Sequence, residues 1–207
     1  MKKICIIIAL LATLFPASAQ DSLTAQPETN TGKRKLMKFD EIVQFYYFFP
    51  VGGGDNVLNK ANEPTLSFGV SGSAFTIYNF YTGPGFEYSE YRVTDVALAG
   101  NVHKTKLIYI FQQFMYKIPV GKSISVNPKV AIGYSNLSQK NRSTSYGEQE
   151  GIGFTLGLNA DYTLDKHFML FTGINYNMYR PKTYTAPEYE DFYKKINQLN
   201  FVVGIKI

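Results

Sequence analysis

The sequence predicts an all-β chain that folds as an eight-stranded antiparallel up-and-down transmembrane β-barrel. Three observations lead to this fold: apolar and small polar residues alternate in short segments, the chain begins with a secretory signal, and long and short connections alternate between the segments. Barrel strands carry a two-residue period because one face meets lipid and the other faces the interior.

The alternation is clearest in residues 151–162. One face carries Ile152, Phe154, Leu156, Leu158, Ala160 and Tyr162, and the other carries Gly151, Gly153, Thr155, Gly157, Asn159 and Asp161. Successive side chains of a strand point to opposite faces. A sheet in water would expose longer polar side chains, whereas this polar face is small and rich in glycine. The segment therefore indicates a strand with a lipid-facing side and a narrow interior.

The N-terminus predicts export. Lys2 and Lys3 precede an apolar run over residues 4–15, and Ala17-Ser18-Ala19 fits a signal-peptidase site. Sec-type export with cleavage near Ala19 would remove the only cysteine, Cys5, so no disulfide is expected.

Three regions follow from this reading: a signal peptide (1–19), a flexible periplasmic tail (20–38) rich in polar residues and proline, and an outer-membrane barrel domain (39–207). The chain has 16 Tyr, 16 Phe, 17 Gly and no Trp. Its mean hydropathy of −0.14 fits a chain whose lipid-facing and interior residues alternate. The net charge of +5 is too small and scattered to indicate nucleic-acid binding.

Strand and turn signals alternate from residue 40 to the C-terminus. We predict strands at about 40–50, 64–80, 85–96, 104–118, 123–134, 151–162, 167–179 and 195–207. Short turns are predicted at Thr82-Gly83-Pro84, 119–122 and 164–166, and long loops at 51–63, at the segment through Asn101, at 135–149 and at 180–194. This asymmetry is typical of barrels with long external loops and tight periplasmic turns.

Two strand features remain open or irregular. The faces of strands three and four cannot be assigned, because Lys106 and Gln112 share a face with Ile108 and Phe114. Pro128 removes a hydrogen-bond donor from the fifth strand, which predicts a bulge or local break there.

Aromatic residues gather near the predicted strand ends. They are Tyr46, Tyr47, Phe48, Phe49, Phe80, Tyr81, Phe86, Tyr88, Tyr116, Tyr134, Tyr162, Phe168 and Tyr179. Amphipathic rings favour the headgroup level, so this distribution indicates two interfacial girdles. In a soluble β-sandwich the same rings would form the core.

On these features the chain resembles the small porin-like outer-membrane β-barrel family of Gram-negative bacteria. The resemblance covers roughly residues 39–207 and rests on the signal peptide, the aromatic-bordered strands, the unit Tyr116-Lys117-Ile118-Pro119 and the closing segment 200–207. It implies insertion by the barrel-assembly machinery, with the last strand as the recognition signal. Such barrels commonly end in an aromatic residue, and Ile207 departs from that pattern.

The interior of an eight-stranded barrel is just wide enough for its own side chains. We predict a lumen filled by Ser67, Ser71, Asn127, Lys129, Asn159, Asp161, Asn175, Asn177 and Lys206. Lys129 and Asp161 lie on neighbouring strands and are candidates for an internal ion-pair network, since buried charge needs pairing. A packed lumen argues against a general porin, and a narrow channel for small solutes is the alternative.

Nothing in the sequence indicates a catalytic, metal or cofactor site. His103 lies in a predicted external loop and His167 in a periplasmic turn, with no serine–histidine–acid trio on one surface. A lipid-modifying enzyme is therefore the least favoured function. No cysteine ligand or carboxylate–histidine cluster has metal-binding spacing.

The external loops are the remaining candidates for function. Loop 180–194 carries Tyr184, Tyr189, Phe192 and Tyr193 among mixed charges. These rings suit contact with a protein or glycan ligand, and they equally suit packing on the rim of the barrel. Lys140 and Arg142 are candidates for contact with lipopolysaccharide phosphates. The sequence thus predicts a non-enzymatic outer-membrane barrel with a structural or surface-interaction role, surrounded by outer-membrane lipid and lipopolysaccharide.

Overall fold

The computed structural model describes residues 42–141, 144–165 and 167–207. The predicted signal peptide (1–19), the tail (20–38) and Arg142 lie outside these residues.

Ten strand segments form the barrel wall. They are β1 (Ile42–Pro50), β2 (Asn62–Ser73), β3 (Phe75–Ile77), β4 (Phe80–Val93), β5 (Lys104–Tyr116), β6 (Ile118–Pro119), β7 (Ile124–Asn141), β8 (Thr144–Thr163), β9 (Met169–Pro181) and β10 (Ile196–Lys206). β2 and β3 both pair with β4, and β5 and β6 both pair with β7, so each couple is one barrel strand with a short interruption. The described chain therefore has the eight barrel strands that the sequence predicts.

The connections carry short helices. These are α1 (Val57–Ala61), α2 (Val96–Ala99), α3 (Glu190–Lys194) and a 3-10 turn over Pro187–Tyr189. Among the described residues, no helix is long and apolar enough to cross a membrane.

The sheet closes on itself because β1 pairs with both β2 and β10, and all pairs are antiparallel. The strands are staggered. The stagger can be traced around the barrel by stepping from each residue to its paired residue on the next strand. Starting at Gln44 on β1 and passing through β2, this path ends at Ile196 on β10. Gln44 itself pairs with Lys206, ten residues further along β10. Such a stagger tilts the strands and leaves an interior that side chains can fill.

The two ends of the barrel differ. α1, α2 and α3 lie at one end, which we call the external end in keeping with the predicted topology. Ile42 and Lys206, the first and last residues of the barrel strands, lie at the other, the periplasmic end. Short connections join the strands at that end.

The predicted turn at Thr82-Gly83-Pro84 is wrong, because these residues lie inside β4. The chain instead reverses at Tyr78 and Asn79, where Tyr78 adopts a φ of +56°. A Cβ on Gly83 would lie 2.0 Å from the Gly72 carbonyl oxygen, so this glycine permits a close approach between β2 and β4.

The predicted loop over 135–149 is also wrong. β7 continues to Asn141, β8 begins at Thr144, and these two residues are paired. Sequence analysis missed this extension because the alternation of apolar and polar side chains ends before the strands do. The backbone hydrogen bonds between β7 and β8 continue into the polar segment.

The predicted break at Pro128 is confirmed on one side of its strand. Pairing between β7 and β8 is continuous through Pro128 opposite Leu158. On the other side, the β5 ladder ends at Lys129 and the β6 ladder resumes at Val126, so the gap falls where proline has no N–H to donate.

The face pattern of β8 is as predicted, with Thr155 and Asn159 buried inside and Ile152 and Leu158 exposed outside. β4 and β5 are the predicted third and fourth strands, whose faces the sequence left unassigned. Lys106, Ile108 and Gln112 face outward, whereas the inward positions include Glu87, Tyr91, Tyr109, Phe111 and Gln113.

The aromatic girdles need a correction. Tyr47 and Phe49 are each 60% exposed on the outer face, but Tyr46, Phe48 and Tyr179 are buried in the lumen. Glycine makes this possible, because inward glycines leave the volume that the rings fill. A Cβ on Gly69, for example, would lie 2.3 Å from the Tyr46 ring.

Candidate functional site: the packed lumen and its external rim

Apolar side chains close the external end of the lumen. We call this cluster the external plug; it comprises Val57, Leu58, Ala61, Tyr91, Ala99, Val102, Leu107, Tyr109, Phe111, Ala131, Leu137, Tyr179 and Ile196. The Tyr109 ring stacks on Phe111 at 4.8 Å between centroids and meets Tyr179 edge-on at 5.3 Å. Buried side chains from α1 and α2 contribute to the same cluster.

Capping side chains hold α1 on the plug. The Asn59 backbone N–H donates to Asn56 Oδ1 at 3.2 Å, and Asn56 Nδ2 donates to the Asn197 carbonyl at 3.1 Å. Asn62 Nδ2 donates to the Val57 carbonyl at 2.8 Å. These asparagines cap the helix and tie it to β10, which explains why a five-residue helix is ordered here.

α2 has its own capping groups. The Leu98 backbone N–H donates to Asp95 Oδ1 at 3.1 Å, and Gly100 ends the helix with a left-handed φ of +86°. Gln139 Nε2 on β7 donates to the Ala99 carbonyl at 3.3 Å. The helix is thereby fixed to the barrel wall.

A buried carboxylate organises the middle of the lumen. Tyr46 Oη donates to Glu87 Oε1 at 2.9 Å, and Asn177 Nδ2 lies 3.4 Å from Glu87 Oε2 and 2.8 Å from Tyr179 Oη. Sequence reasoning missed Glu87 because it lies on a strand whose faces could not be assigned. The only signal in the sequence was that Glu87 lies on the same face of its strand as Ser89 and Tyr91.

Lys129 lies beside the hydrogen-bonded group of Glu87 and Tyr46, with its Nζ 5.9 Å from the centroids of the Tyr46 and Phe111 rings. Asn175 lies beside it: with its amide oriented to satisfy the hydrogen bonds, its oxygen accepts from Lys129 Nζ at 3.1 Å. Cationic side chains over aromatic faces are stabilised electrostatically.

Asp161 pairs with Lys206 rather than with Lys129, the partner that the sequence suggested. Lys206 Nζ lies 2.8 Å from Asp161 Oδ2, and each side chain is 4% exposed. Lys129 is opposite Gly157 in the β7–β8 register, whereas Asp161 is opposite Ser125. The two predicted partners therefore lie at different heights on neighbouring strands.

The remaining predicted lumen residues are also buried. Asn127 and Asn159 lie on the inner face, opposite each other across β7 and β8. Asn127 lines a small recess at the periplasmic end, partly open to solvent, together with Gln44, Asp161 and Lys206.

The four aromatic residues of the last external loop divide into two pairs. Phe192 and Tyr193 pack against the external plug, and Tyr193 Oη donates to the Leu98 carbonyl at 2.5 Å. Burial raises the pKa of the Tyr193 phenol. Tyr184 is fully exposed and Tyr189 is 54% exposed. Packing on the rim therefore applies to Phe192 and Tyr193, whereas Tyr184 and Tyr189 project into solvent.

The two histidines lie far apart. His103 is at the external end, His167 is at the periplasmic end, and both are exposed. Within the described part of the chain, no group of three histidine, cysteine or acidic residues could hold a metal ion.

A glycine substitution tests the packing of the lumen. Gly69→Ala is expected to lower the free energy of unfolding by about 1–3 kcal/mol, because its Cβ would overlap the Tyr46 ring and displace Tyr46 from Glu87. Urea unfolding in lipid vesicles, followed by gel mobility without heating, measures the change. Gly121→Ala is the control, since nothing lies within 4 Å of its Cβ position. Equal stabilities for the two variants would contradict the packing described here.

Comparisons with known proteins agree with this architecture. No family model matches the sequence, and no curated protein matches it either. The crystal structure of Neisserial surface protein A superposes with a TM-score of 0.59 at 13% identity, covering 83% of this chain and 97% of that chain. The N-terminal β-barrel domain of Pseudomonas aeruginosa OprF (TM-score 0.43, 15% identity, covering 80% and 97%) and Ail of Yersinia pestis (0.43, 7%, 81% and 97%) also match. The chain has the fold of the small eight-stranded outer-membrane β-barrels.

Proposed function

We propose that the protein is a non-enzymatic outer-membrane barrel that holds a binding surface outside the cell and does not conduct solutes. One observation carries this proposal: the external plug closes the lumen and also anchors the loop that displays Tyr184 and Tyr189. A loop fixed by Phe192 and Tyr193 loses less conformational entropy on binding than a free one.

The outer surface supports the membrane location. Large apolar side chains are exposed around the wall, including Phe45, Ile132, Ile152, Leu156, Leu158, Ile174, Phe201 and Val203. Soluble monomeric proteins rarely expose continuous apolar patches of more than a few hundred Å². We expect the protein in the outer-membrane fraction, with different gel mobility before and after boiling. Recovery as a heat-insensitive periplasmic protein would contradict the membrane assignment.

The exposed rim suits a protein or glycan ligand. Tyrosine provides a large amphipathic surface with few rotatable bonds, and it is enriched where proteins recognise partners. Glu188 and Lys182 flank the exposed tyrosines in the same loop and are themselves exposed. Charged side chains at the edge of an aromatic contact favour specificity and orientation.

A binding experiment tests this role. Cells that display the protein would be applied to arrays of glycans and of extracellular proteins, and bound cells would be counted. We expect Tyr184→Ser/Tyr189→Ser to lose binding by about tenfold or more, as for an interface centre. Tyr78→Ser is the control, because Tyr78 is an exposed tyrosine at the periplasmic end. Equal loss in both variants, or binding unaffected by the double substitution, would contradict the proposal.

The channel and enzyme alternatives have separate tests. A solute path would have to pass Tyr91, Tyr109 and Tyr179, all of which are almost fully buried in the plug. We therefore expect no stepwise conductance in planar bilayers, and clear unitary steps would favour a channel. An enzyme would change the mass of lipid A or phospholipid and would respond to His103→Ala or His167→Ala.

A further inference from the structure

The periplasmic end of the lumen holds a recess that only the closed barrel can form. Its lining side chains come from all eight barrel strands, from Gln44 on β1 to Lys206 on β10, and it is partly open to solvent. We call it the periplasmic recess. We propose that the periplasmic recess binds a small zwitterionic amino acid, an inference that does not depend on the external binding surface.

Two buried polar atoms of the recess lack hydrogen-bond partners. Within the described part of the chain, Asn127 Nδ2 has no acceptor and Asp161 Oδ1 has no donor. Asn127 is 3% exposed, Asp161 is 5% exposed, and both line the recess. Burying a polar group without a hydrogen bond is costly. A ligand that supplies one acceptor and one donor here would therefore gain both bonds.

The charged groups around the recess have both signs. Lys117 and Lys206 line it as cations, and Asp161 lines it as an anion. Lys206 Nζ and Asp161 Oδ2 lie 2.8 Å apart, whereas no carboxylate of the residues that the structure describes lies within 4 Å of Lys117 Nζ. A simple cation would be repelled by the two lysines, and a simple anion would be repelled by Asp161. A zwitterion adds no net charge and presents each sign to its opposite.

The spacing of the two unpaired groups suits charges carried on one carbon atom. Asn127 is opposite Asn159 in the β7–β8 register, and Asp161 lies two residues beyond Asn159 on the same inner face. Asn127 and Asp161 are therefore diagonal neighbours, which lie about 7–8 Å apart in a sheet. An α-amino acid spans this distance, because its ammonium can donate to Asp161 Oδ1 while its carboxylate accepts from Asn127 Nδ2.

Further donors and apolar groups complete the site. Gln44 Nε2 donates to the Met115 sulfur at 3.9 Å, and a thioether is a weak acceptor. The Gln44 amide and the half-buried Lys117 ammonium would both find a stronger acceptor in the ligand carboxylate. Ile42, Met115 and Met169 form apolar lining beside these groups. The recess therefore suits an amino acid with a small apolar side chain or none.

Thermal unfolding of the purified full-length barrel tests the proposal. The unclosed chain has no recess, so a bound ligand must raise the unfolding temperature. The protein would be kept in uncharged detergent with increasing glycine or alanine, and the readout is the temperature at which gel mobility changes from folded to unfolded. We expect a saturable rise with both amino acids. Acetate and methylammonium each carry half of the zwitterion and should raise the temperature much less.

Trimethylglycine is the control for general solute effects. It carries both charges but has no N–H to donate to Asp161 Oδ1. An equal rise with trimethylglycine, or a rise with glycine that does not saturate, would overturn the proposal. An equal rise with acetate alone would assign the recess to a simple anion and would also overturn it.

Matched variants locate the site, with each shift measured from the variant's own ligand-free unfolding temperature. Lys117→Gln should raise the half-saturating glycine concentration by about tenfold, because it removes a charged donor to the carboxylate. Lys122→Gln removes an exposed lysine at the same end that does not line the recess, and we expect little change. Asn127→Leu removes the unpaired amide and should also weaken binding. Equal effects of Lys117→Gln and Lys122→Gln would overturn the proposal even if Asn127→Leu did not fold.

Discussion

Asp161→Ala is expected to lower the free energy of unfolding by about 3–5 kcal/mol, because it leaves the Lys206 ammonium buried without its carboxylate. Lys206 Nζ donates to Asp161 Oδ2 at 2.8 Å, and it lies 4.9 Å from the centroid of the Phe171 ring. Urea unfolding in lipid vesicles, read from the gel mobility of unheated samples, measures the change.

The double variant Asp161→Leu/Lys206→Met is the control. Replacing both members of a buried ion pair by apolar residues is often neutral or stabilising. We therefore expect the double variant to recover most of the stability lost by Asp161→Ala. A double variant as unstable as the single one would mean that the loss comes from packing volume rather than from an uncompensated charge.

Tyr109→Ala is expected to cost about 3–5 kcal/mol, because it removes the central ring of the external plug. That ring contacts Phe111 and Tyr179 and also lies over Gly153, where a Cβ would approach its Cε2 to 2.4 Å. The same unfolding experiment measures the effect. Tyr176→Ala is the matched control, since Tyr176 faces outward and is 37% exposed. A similar cost for both variants would contradict a plug that depends on Tyr109.

A double-mutant cycle separates the ring from the rest of the plug. Gly153→Ala should destabilise the wild-type protein by about 1–3 kcal/mol, because the added methyl overlaps the Tyr109 ring. In the Tyr109→Ala background the same substitution should cost much less, since the methyl enters vacated space. Additive effects would show that the two residues do not share this volume.

The sequence predicted the wall of the barrel better than its contents. Strict alternation on β8 identified its two faces, because a small interior and a surrounding lipid phase demand opposite side chains. The same reasoning could not assign the faces of β5. Lys106 and Gln112 face outward with Ile108, since Lys106 lies at the external boundary and Gln112 Nε2 donates to Thr82 Oγ1 on the next strand at 2.8 Å.

Contacts across the lumen were beyond sequence reasoning. Neighbouring strands suggested Lys129 as the partner of Asp161, but the actual partner, Lys206, lies two strands away on β10. Only the stagger of the closed sheet decides which inward residues share a height. Tyr46 and Phe48 were misplaced for a related reason, because the unbroken aromatic run from Tyr46 to Phe49 has no alternation from which to assign faces.

The pairing of β1 with β10 has a consequence for how the chain reaches its final state. Gln44 and Lys206 are partners, yet they come from opposite ends of the described chain. Contacts between residues so distant in sequence form slowly, since the entropy of closing the intervening chain opposes them. Until the last strand docks, β1 and β9 each present an unpaired edge, and such edges invite aggregation. We therefore expect folding of this barrel to end with its most non-local step, and a factor that shields the two edges to accelerate assembly most.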